Sequence, residues 1–312
     1  PRALRNGAEL KTGARVCEVT TDSSGRATGA DYIDSKGERR HQAARAVIMA
    51  SNGIGTPRLL LLSESDSHPN GLANSSGLLG KNLMFHPFAM ITGVFPEKMN
   101  TWRGPLGNIA MSQEFYETDA NRGFVRGYTY QFQRSLGPAW VARGGFRDPV
   151  PWGKGHHTEL QNRLGSMMSL AVIGEDLPEL HNTVDLDPEM TDSDGIPAPR
   201  IHYTISRNSR DQLDHAIGNA KKVFEIAGAI DIFVDPMMEL SGWHLMGTAR
   251  MGDDPAGSVV NKWGQSHDVD NLFIVDGSVF VTGAAVNPTP TIQALALRTA
   301  EYIVANRSDL KA

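Results

Sequence analysis

The sequence predicts a mixed α/β chain with strand, turn and helix units toward both ends and a β-rich middle. Three observations carry this. The segment "ARAVIMASNGIGTPRLLLLSES" passes from a short apolar run through Gly53 and Gly55 into a helical stretch. From about Ile91 to Ile205, as in "GFVRGYTYQFQRSLGPAWVA", aromatic and β-branched residues alternate with Gly and Pro, the pattern of an antiparallel sheet with long loops. Finally, "NLFIVDGSVF" reads as an apolar strand closing at Asp276-Gly277, and "NPTPTIQALALRTAEYIVAN" as a helix opened by proline.

Taken in order, "AELKTGARVCEVTTD" reads as strand, turn and strand, and "GRATGADYIDSKGERRHQ" carries the Gly and Asp-Ser-Lys-Gly punctuation of β-meander hairpins. Thr56 is placed to cap the next helix and Pro57 to be its first residue, where a missing N–H costs nothing. After the β-rich middle, "SRDQLDHAIGNAKKVFEIAG" sets Leu213, Ile217, Ala220, Phe224 and Ala227 at helical spacing, with Gly228 as a stop. The last helix carries Ile292, Leu295, Thr299 and Ile303 on one face. No internal repeat or low-complexity tract interrupts this order.

The 312 residues are enough for one large domain or two of ordinary size, and 40% apolar with 21% charged residues is the usage of a folded globular protein. A formal charge of -5 without a dense Lys/Arg run argues against nucleic acid as a partner. No apolar stretch is long enough for a membrane span. The single Cys17 cannot form an internal disulfide, which is compatible with a reducing compartment and leaves localisation open. The opening "PRALRNGAEL" has neither initiator Met nor apolar signal region, and reads as a start in mid-domain.

Several chemistries lack their signatures. There is no G-x-S-x-G, H-E-x-x-H, paired C-x-x-C or G-x-x-x-x-G-K-[ST], which removes support for serine hydrolase, zincin and P-loop readings. In "DLDPEMTDSDG", Asp185, Asp187, Asp192 and Asp194 miss EF-hand spacing, so a solvated turn is expected. Adjacent His156 and His157 generally point in different directions and make a poor metal pair.

What remains is "SGWHLMGTARMG" with Asp276-Gly277 and Asn287-Pro288-Thr289. A histidine among glycines sits on tight backbone that can present its ring. Oxidising an alcohol by hydride transfer needs a base within hydrogen-bond reach of the O–H, and neutral imidazole suits that near neutral pH. A second side chain should hold the oxygen without competing for the proton, as an amide does. His244 and Asn287 are the candidates. The alternatives are a core histidine satisfied by backbone, and an Asn that only caps the last helix.

The tail from Trp243 to Ile303, together with "ARAVIMASNGIGTPRLLLLS", "GLLGKNLMFHP" and "GEDLPELHNTVDLDPEMTDSDGIPAPRIHY", resembles the C-terminal part of the glucose-methanol-choline (GMC) oxidoreductases, FAD-dependent alcohol oxidases and dehydrogenases. Within that family the chain looks most similar to sugar and sugar-acid dehydrogenases and to pyranose or glycoside oxidases. The resemblance implies a Rossmann-like FAD-binding domain in two parts, residues 1–90 and 236–312, with an antiparallel substrate domain, 91–235, inserted between them. It assigns His244 as the active-site base and Asn287 as the second catalytic position. It also implies FAD contacts at Val16, Ala50, Asp276, Gly277, Asn287, Pro288 and Thr289, the last helix turning its positive end toward the flavin.

Two departures stand out. Asn52 occupies a turn where the family commonly has glycine, although Asn tolerates positive φ better than most residues. No G-x-G-x-x-G is present, so the dinucleotide fingerprint is expected on an upstream segment or a partner chain. His86 reads as structural and His267 as without a role. The expected substrate is a sugar, glycoside or polyol, and the expected electron acceptor is oxygen, a quinone or a protein. An FAD-containing lyase and a non-catalytic half of a flavoprotein assembly are the other classes.

Overall fold

A hairpin meander opens the ordered architecture of the computed structural model, which describes residues 1–104, 107–134, 137–144, 149–238 and 241–308. After a single helical turn, α1 (Arg2–Arg5), the strands β1 (Arg15–Thr21), β2 (Ala27–Ile33) and β3 (Arg39–Ala43) form one antiparallel sheet in that order. Both of its turns are built alike: Asp22 Oδ1 accepts from the amides of Ser24 and Arg26, and Asp34 Oδ1 from those of Lys36 and Glu38. The segment from Ala8 to Ala14 is irregular rather than the first arm of a hairpin. Its residues are mostly exposed, so no buried face fixes them as a strand.

The chain continues through β4 (Val47–Met49), α2 (Asn52–Leu62), β5 (Phe88–Val94), β6 (Asn108–Ser112), β7 (Tyr128–Gln133), α3 (Pro138–Ala142), α4 (His156–Arg163) and β8 (Met167–Gly174). It closes with β9 (Thr183–Thr191), β10 (Pro197–His202), α5 (Arg207–Ile226), β11 (Asp231–Asp235), β12 (Leu272–Ile274) and α6 (Thr289–Ala305). The expected mixture of parallel and antiparallel parts is present. Strands β4 and β12 pair in parallel, whereas β11-β5-β8-β7-β6 form a five-stranded antiparallel sheet and β9 with β10 a separate hairpin. Residues 105–106, 135–136 and 145–148 of the expected β-rich region lie outside the described residues.

Two large cores, with a smaller cluster of Phe88, Met90, Ala171 and Ile173 on the other face of the five-stranded sheet, hold these parts. One draws Val19, Leu60 and Leu72 from the first third together with Val260, Leu272 and Ile274 from the last. The other lies between the five-stranded sheet and α5, where Leu213, Ala216, Ile217, Ala220 and Phe224 face Ile91, Leu170 and Val172. Gly93 is required there, because a Cβ would stand 2.7 Å from the Phe224 ring. Ser206 caps α5 by accepting from the Ser209 amide, and Gly228 leaves it at φ +87°. Ala227, the last residue of the expected apolar face, is exposed because it lies beyond the helix end.

The acidic run is not a solvated turn throughout. Its first part continues β9, and in the turn that follows Asp192 receives the guanidinium groups of Arg15 and Arg58, tying the hairpin to β1 and α2.

The start of α2 also differs from its sequence signal. The helix begins at Asn52, which lies at φ +66° and whose Oδ1 accepts from the amides of Ile54 and Gly55. Pro57 is therefore inside the helix and cannot donate to the Gly53 carbonyl four residues back. Thr248 Oγ1 makes that bond instead at 2.8 Å. Thr56 Oγ1 is turned away from capping to the carboxylate of Asp276, at 2.5 Å.

Candidate active site

The backbone around His244 is clamped on three sides. Met84 and Met246 exchange hydrogen bonds at 3.0 and 3.1 Å. Gly247, at φ +94°, lies so near the Asn82 carbonyl that a Cβ would come within 2.1 Å of it. Gly53 in the first turn of α2 and Gly277 after β12 both abut the Leu245 carbonyl, each with room for no more than hydrogen on Cα. The glycines thus let three segments converge just behind the histidine, which leaves its ring directed outward and half-buried.

Asp276 organises the same convergence. Its Oδ2 accepts from the amides of Ser51 and Asn52 and from Thr56 Oγ1, and its Oδ1 accepts from the Ser278 amide. The carboxylate thereby holds the opening of α2 from the end of β12, a long-range substitute for a local cap. Gly277 continues this contact to α6, since Ile292 Cδ1 lies 3.5 Å from the position of its absent Cβ.

His244 and Asn287 are brought together. Asn287 Nδ2 lies 3.5 Å from His244 Nε2, although 43 residues separate them. The Asn287 side chain does not cap α6: the position before the helix is Pro288, and no side chain caps it. Burial alone holds His244 below the usual imidazole value, so the ring is neutral at neutral pH.

Two residues that the sequence reading left out of the chemistry complete the surroundings. His86, 4% exposed, meets His244 edge-on with ring centroids 4.8 Å apart, and its Nδ1 lies 3.0 Å from the Gly174 carbonyl. Burial, reinforced by His244, pushes His86 down to about 4. Gln131 on β7 is 3% exposed and donates from Nε2 to Asn287 Oδ1 at 2.6 Å. The signal for Gln131 was legible in "YTYQFQ", where Thr129, Gln131 and Gln133 share one face of a strand. Its partner, 156 residues away, was not.

His244, Asn287 and Gln131 line a cavity of about 350 Å³. Its lining is mixed: Gln131 and Gln133 share one face of the five-stranded sheet with Phe88 and Ile173, and Asn108, Arg134 and Trp243 complete it. Phe88 and Trp243 pack edge to face at 5.1 Å. Aromatic surface beside amide and guanidinium groups suits a small polyhydroxylated molecule. A larger, mainly apolar cavity of about 580 Å³ lies on the His86 side, bounded by Phe85, Tyr203 and Met238.

The other candidate positions are distributed around this centre. Ala50 is exposed between β4 and α2, Pro288 is buried, and Thr289 is exposed at the first turn of α6. Val16 stands on β1, 44% exposed, in a different sheet. His156 stacks on Trp152 at 5.5 Å and touches His157 edge-on, and no cluster of three or more metal-ligating side chains exists among the described residues. His267 is 2.9 Å from Ser258 Oγ in a loop.

Comparison with known proteins gives consistent results. Two family models, both described as GMC oxidoreductase, match residues 1–88 and 178–296. The chain is 44% identical to 2-methyl-1,2-propanediol dehydrogenase of Mycolicibacterium austroafricanum, over 99% of this chain and 57% of the relative. It is 30% identical to the fructose dehydrogenase large subunit of Gluconobacter japonicus, over 99% of this chain and 56% of that one. Pyridoxine 4-oxidase from Mesorbium loti superposes with a TM-score of 0.66 at 17% identity, covering 97% of this chain and 60% of that chain. Formate oxidase of Aspergillus oryzae, in a structure concerned with its FAD modification, gives 0.61 at 16% identity, covering 95% and 61%. The chain spans somewhat over half the length of the relatives it matches.

Proposed function

Because the chain belongs to the GMC oxidoreductase family, we propose that it forms the catalytic part of an FAD-dependent enzyme that oxidises an alcohol group of a polyol or sugar. The observation that carries this reading is the meeting of His244 Nε2 with the Asn287 amide at the edge of a cavity walled by amides and aromatic rings. His244 takes the alcohol proton on Nε2. Asn287 Nδ2 donates to the same oxygen, which fixes the carbinol C–H direction. FAD, when bound, supplies the acceptor for the hydride that leaves the carbinol carbon.

The residues present fit part of such a cofactor. In open α/β sheets, ligands bind beyond the carboxyl ends of parallel strands. Here the ends of β4 and β12 lead into α2 and toward the uncapped first turn of α6. On this reading Ala50, Gly277, Asn287, Pro288 and Thr289 border the flavin, and Val16 offers its backbone to the adenine. Asp276 acts by holding the α2 turn. The remaining FAD contacts, including a glycine-rich fingerprint, come from an upstream segment or partner chain. Exposed Ile48 in the parallel β4–β12 pair, which has no further strand among the described residues, and Leu297 and Val304 at 67% exposure on α6, are consistent with such a complement. On this reading residues 1–90 and 236–312 form the FAD-binding parts and 91–235 the substrate part; the separate clusters around Leu60 and around Phe224 support this, although β5 crosses residue 90 and the β9–β10 hairpin is tied to β1 and α2.

The test is the anaerobic absorption spectrum of the flavin-loaded protein before and after addition of 2-methyl-1,2-propanediol or D-fructose, probes taken from the relatives' names. Bleaching of the flavin band supports alcohol oxidation. Aldehyde release with the band unchanged would replace it by a lyase reaction.

A further inference from the structure

We propose that Gln131 is a positioning residue that decides which end of the Asn287 amide faces His244, and thereby which imidazole nitrogen is free to act as base. The proposal rests on the reading of His244 and Asn287 given above.

A primary amide has two ends of nearly equal size, one a donor and one an acceptor, so packing alone does not choose between its orientations. On its other side Asn287 meets Gln131, which is buried on the five-stranded sheet. The order of bonds runs from Asn108 Nδ2 to Gln131 Oε1 at 2.5 Å, from Gln131 Nε2 to Asn287 Oδ1 at 2.6 Å, and on to Asn287 Nδ2 and His244 Nε2. A neighbouring bond keeps the strand and the loop in register: Thr129, two residues earlier on the same face of β7, donates from Oγ1 to the Ala285 carbonyl at 2.6 Å. Two rungs therefore pin the segment that carries Asn287.

With Asn287 Oδ1 occupied by Gln131, a donor is left facing the histidine. A donor at that place is compatible with a lone pair on Nε2 and incompatible with an N–H there. The reverse order would present Oδ1, favour Nε2–H, and leave no acceptor for the alcohol proton. The groups facing His244 do not override this choice. His86 is neutral and meets the ring edge-on, and the cavity wall contains Arg134 but no carboxylate among the described residues.

The experiment compares the flavin-loaded protein with its Gln131→Glu, Gln131→Met and Asn287→Ala variants. Its first readout is ¹⁵N NMR of imidazole-labelled protein above the histidine titration, with His244 assigned from His244→Gln. The second is the anaerobic rate of flavin reduction against alcohol concentration, with 2-methyl-1,2-propanediol as the probe. The parent protein is expected to show an unprotonated Nε2. An ionised glutamate can only accept at this position, so, at a pH where the carboxyl is shown to be ionised, Gln131→Glu is expected to move the proton to Nε2 and slow reduction ~10 to 100-fold, with the half-saturating concentration little changed. Gln131→Met is expected to give both tautomers and an intermediate rate. An unchanged tautomer in Gln131→Glu, with reduction within twofold of the parent while Asn287→Ala is slowed, would overturn the role of Gln131. If Asn287→Ala and His244→Gln both reduce flavin at the parent rate, the alcohol-oxidation reading itself fails and this proposal with it. Near-isosteric Gln131→Glu keeps the comparison available should Gln131→Met not fold.

Discussion

The Gly53 carbonyl, left without its helical donor by Pro57, is satisfied by the hydroxyl of Thr248. The bond is buried and joins residues 195 positions apart. Thr248→Val keeps the shape but strands a buried acceptor, at an expected cost of ~1 to 3 kcal/mol in denaturant unfolding. Pro57→Ala restores the helical N–H, so the double variant should recover part of the loss. Strict additivity of the two substitutions would contradict the compensation.

His244→Ala removes the proposed base and should lower the anaerobic rate of flavin reduction by ~10² to 10⁴, while the flavin spectrum before substrate stays that of the parent. In the parent, the rate should fall as pH drops through the lowered His244 value and stay level above it. A pH-independent rate across that region would show that another group takes the proton.

His86 makes a separate contribution to pH-dependent stability. Its folded value is about 4 against 6.5 for an ordinary imidazole. Between these values the unfolded chain binds a proton that the folded one does not, so stability is complete above pH 6.5 and falls as pH falls toward 4. Urea midpoints measured across this window should fall less steeply in His86→Gln. An identical slope would mean that the ring is not shielded as described.

Asp276→Ala removes the acceptor for two amides at the α2 opening, for Thr56 and for Ser278. The expected loss is ~2 kcal/mol, because Thr56 and Ser278 are fully buried and lose their acceptor. Hydrogen exchange at Ser51 and Asn52 should accelerate more than at Leu272 to Ile274. Uniform acceleration would instead indicate that the residue supports the strand as a whole.

Local pattern was enough for some elements. Leu213, Ile217, Ala220 and Phe224 define α5 because a 20-residue amphipathic helix is governed by its own periodicity. The alternation after Ile91 similarly marks antiparallel strands. Thr56-Pro57 misled because both residues answer to partners beyond 190 positions away, Asp276 and Thr248, which replace a local start signal. The pairing of His244 with Asn287 came from motif chemistry. Gln131 and His86 escaped because their importance lies in what the fold sets beside them: an amide from the loop before α6, and a histidine ring from a glycine-clamped turn.

Strand β7 carries three successive inward positions of unequal freedom. Thr129 and Gln131 are bound to the loop before α6, whereas Gln133 borders the cavity without a bond to that loop. A one-residue slip of the strand would carry all three to the opposite face at once. On the proposed function, exchange of Gln133 is expected to reshape the cavity for other alcohols, while exchange of Thr129 or Gln131 disturbs the loop that carries Asn287. Selection for a new substrate would then leave its record at one end of a six-residue strand and silence at the other.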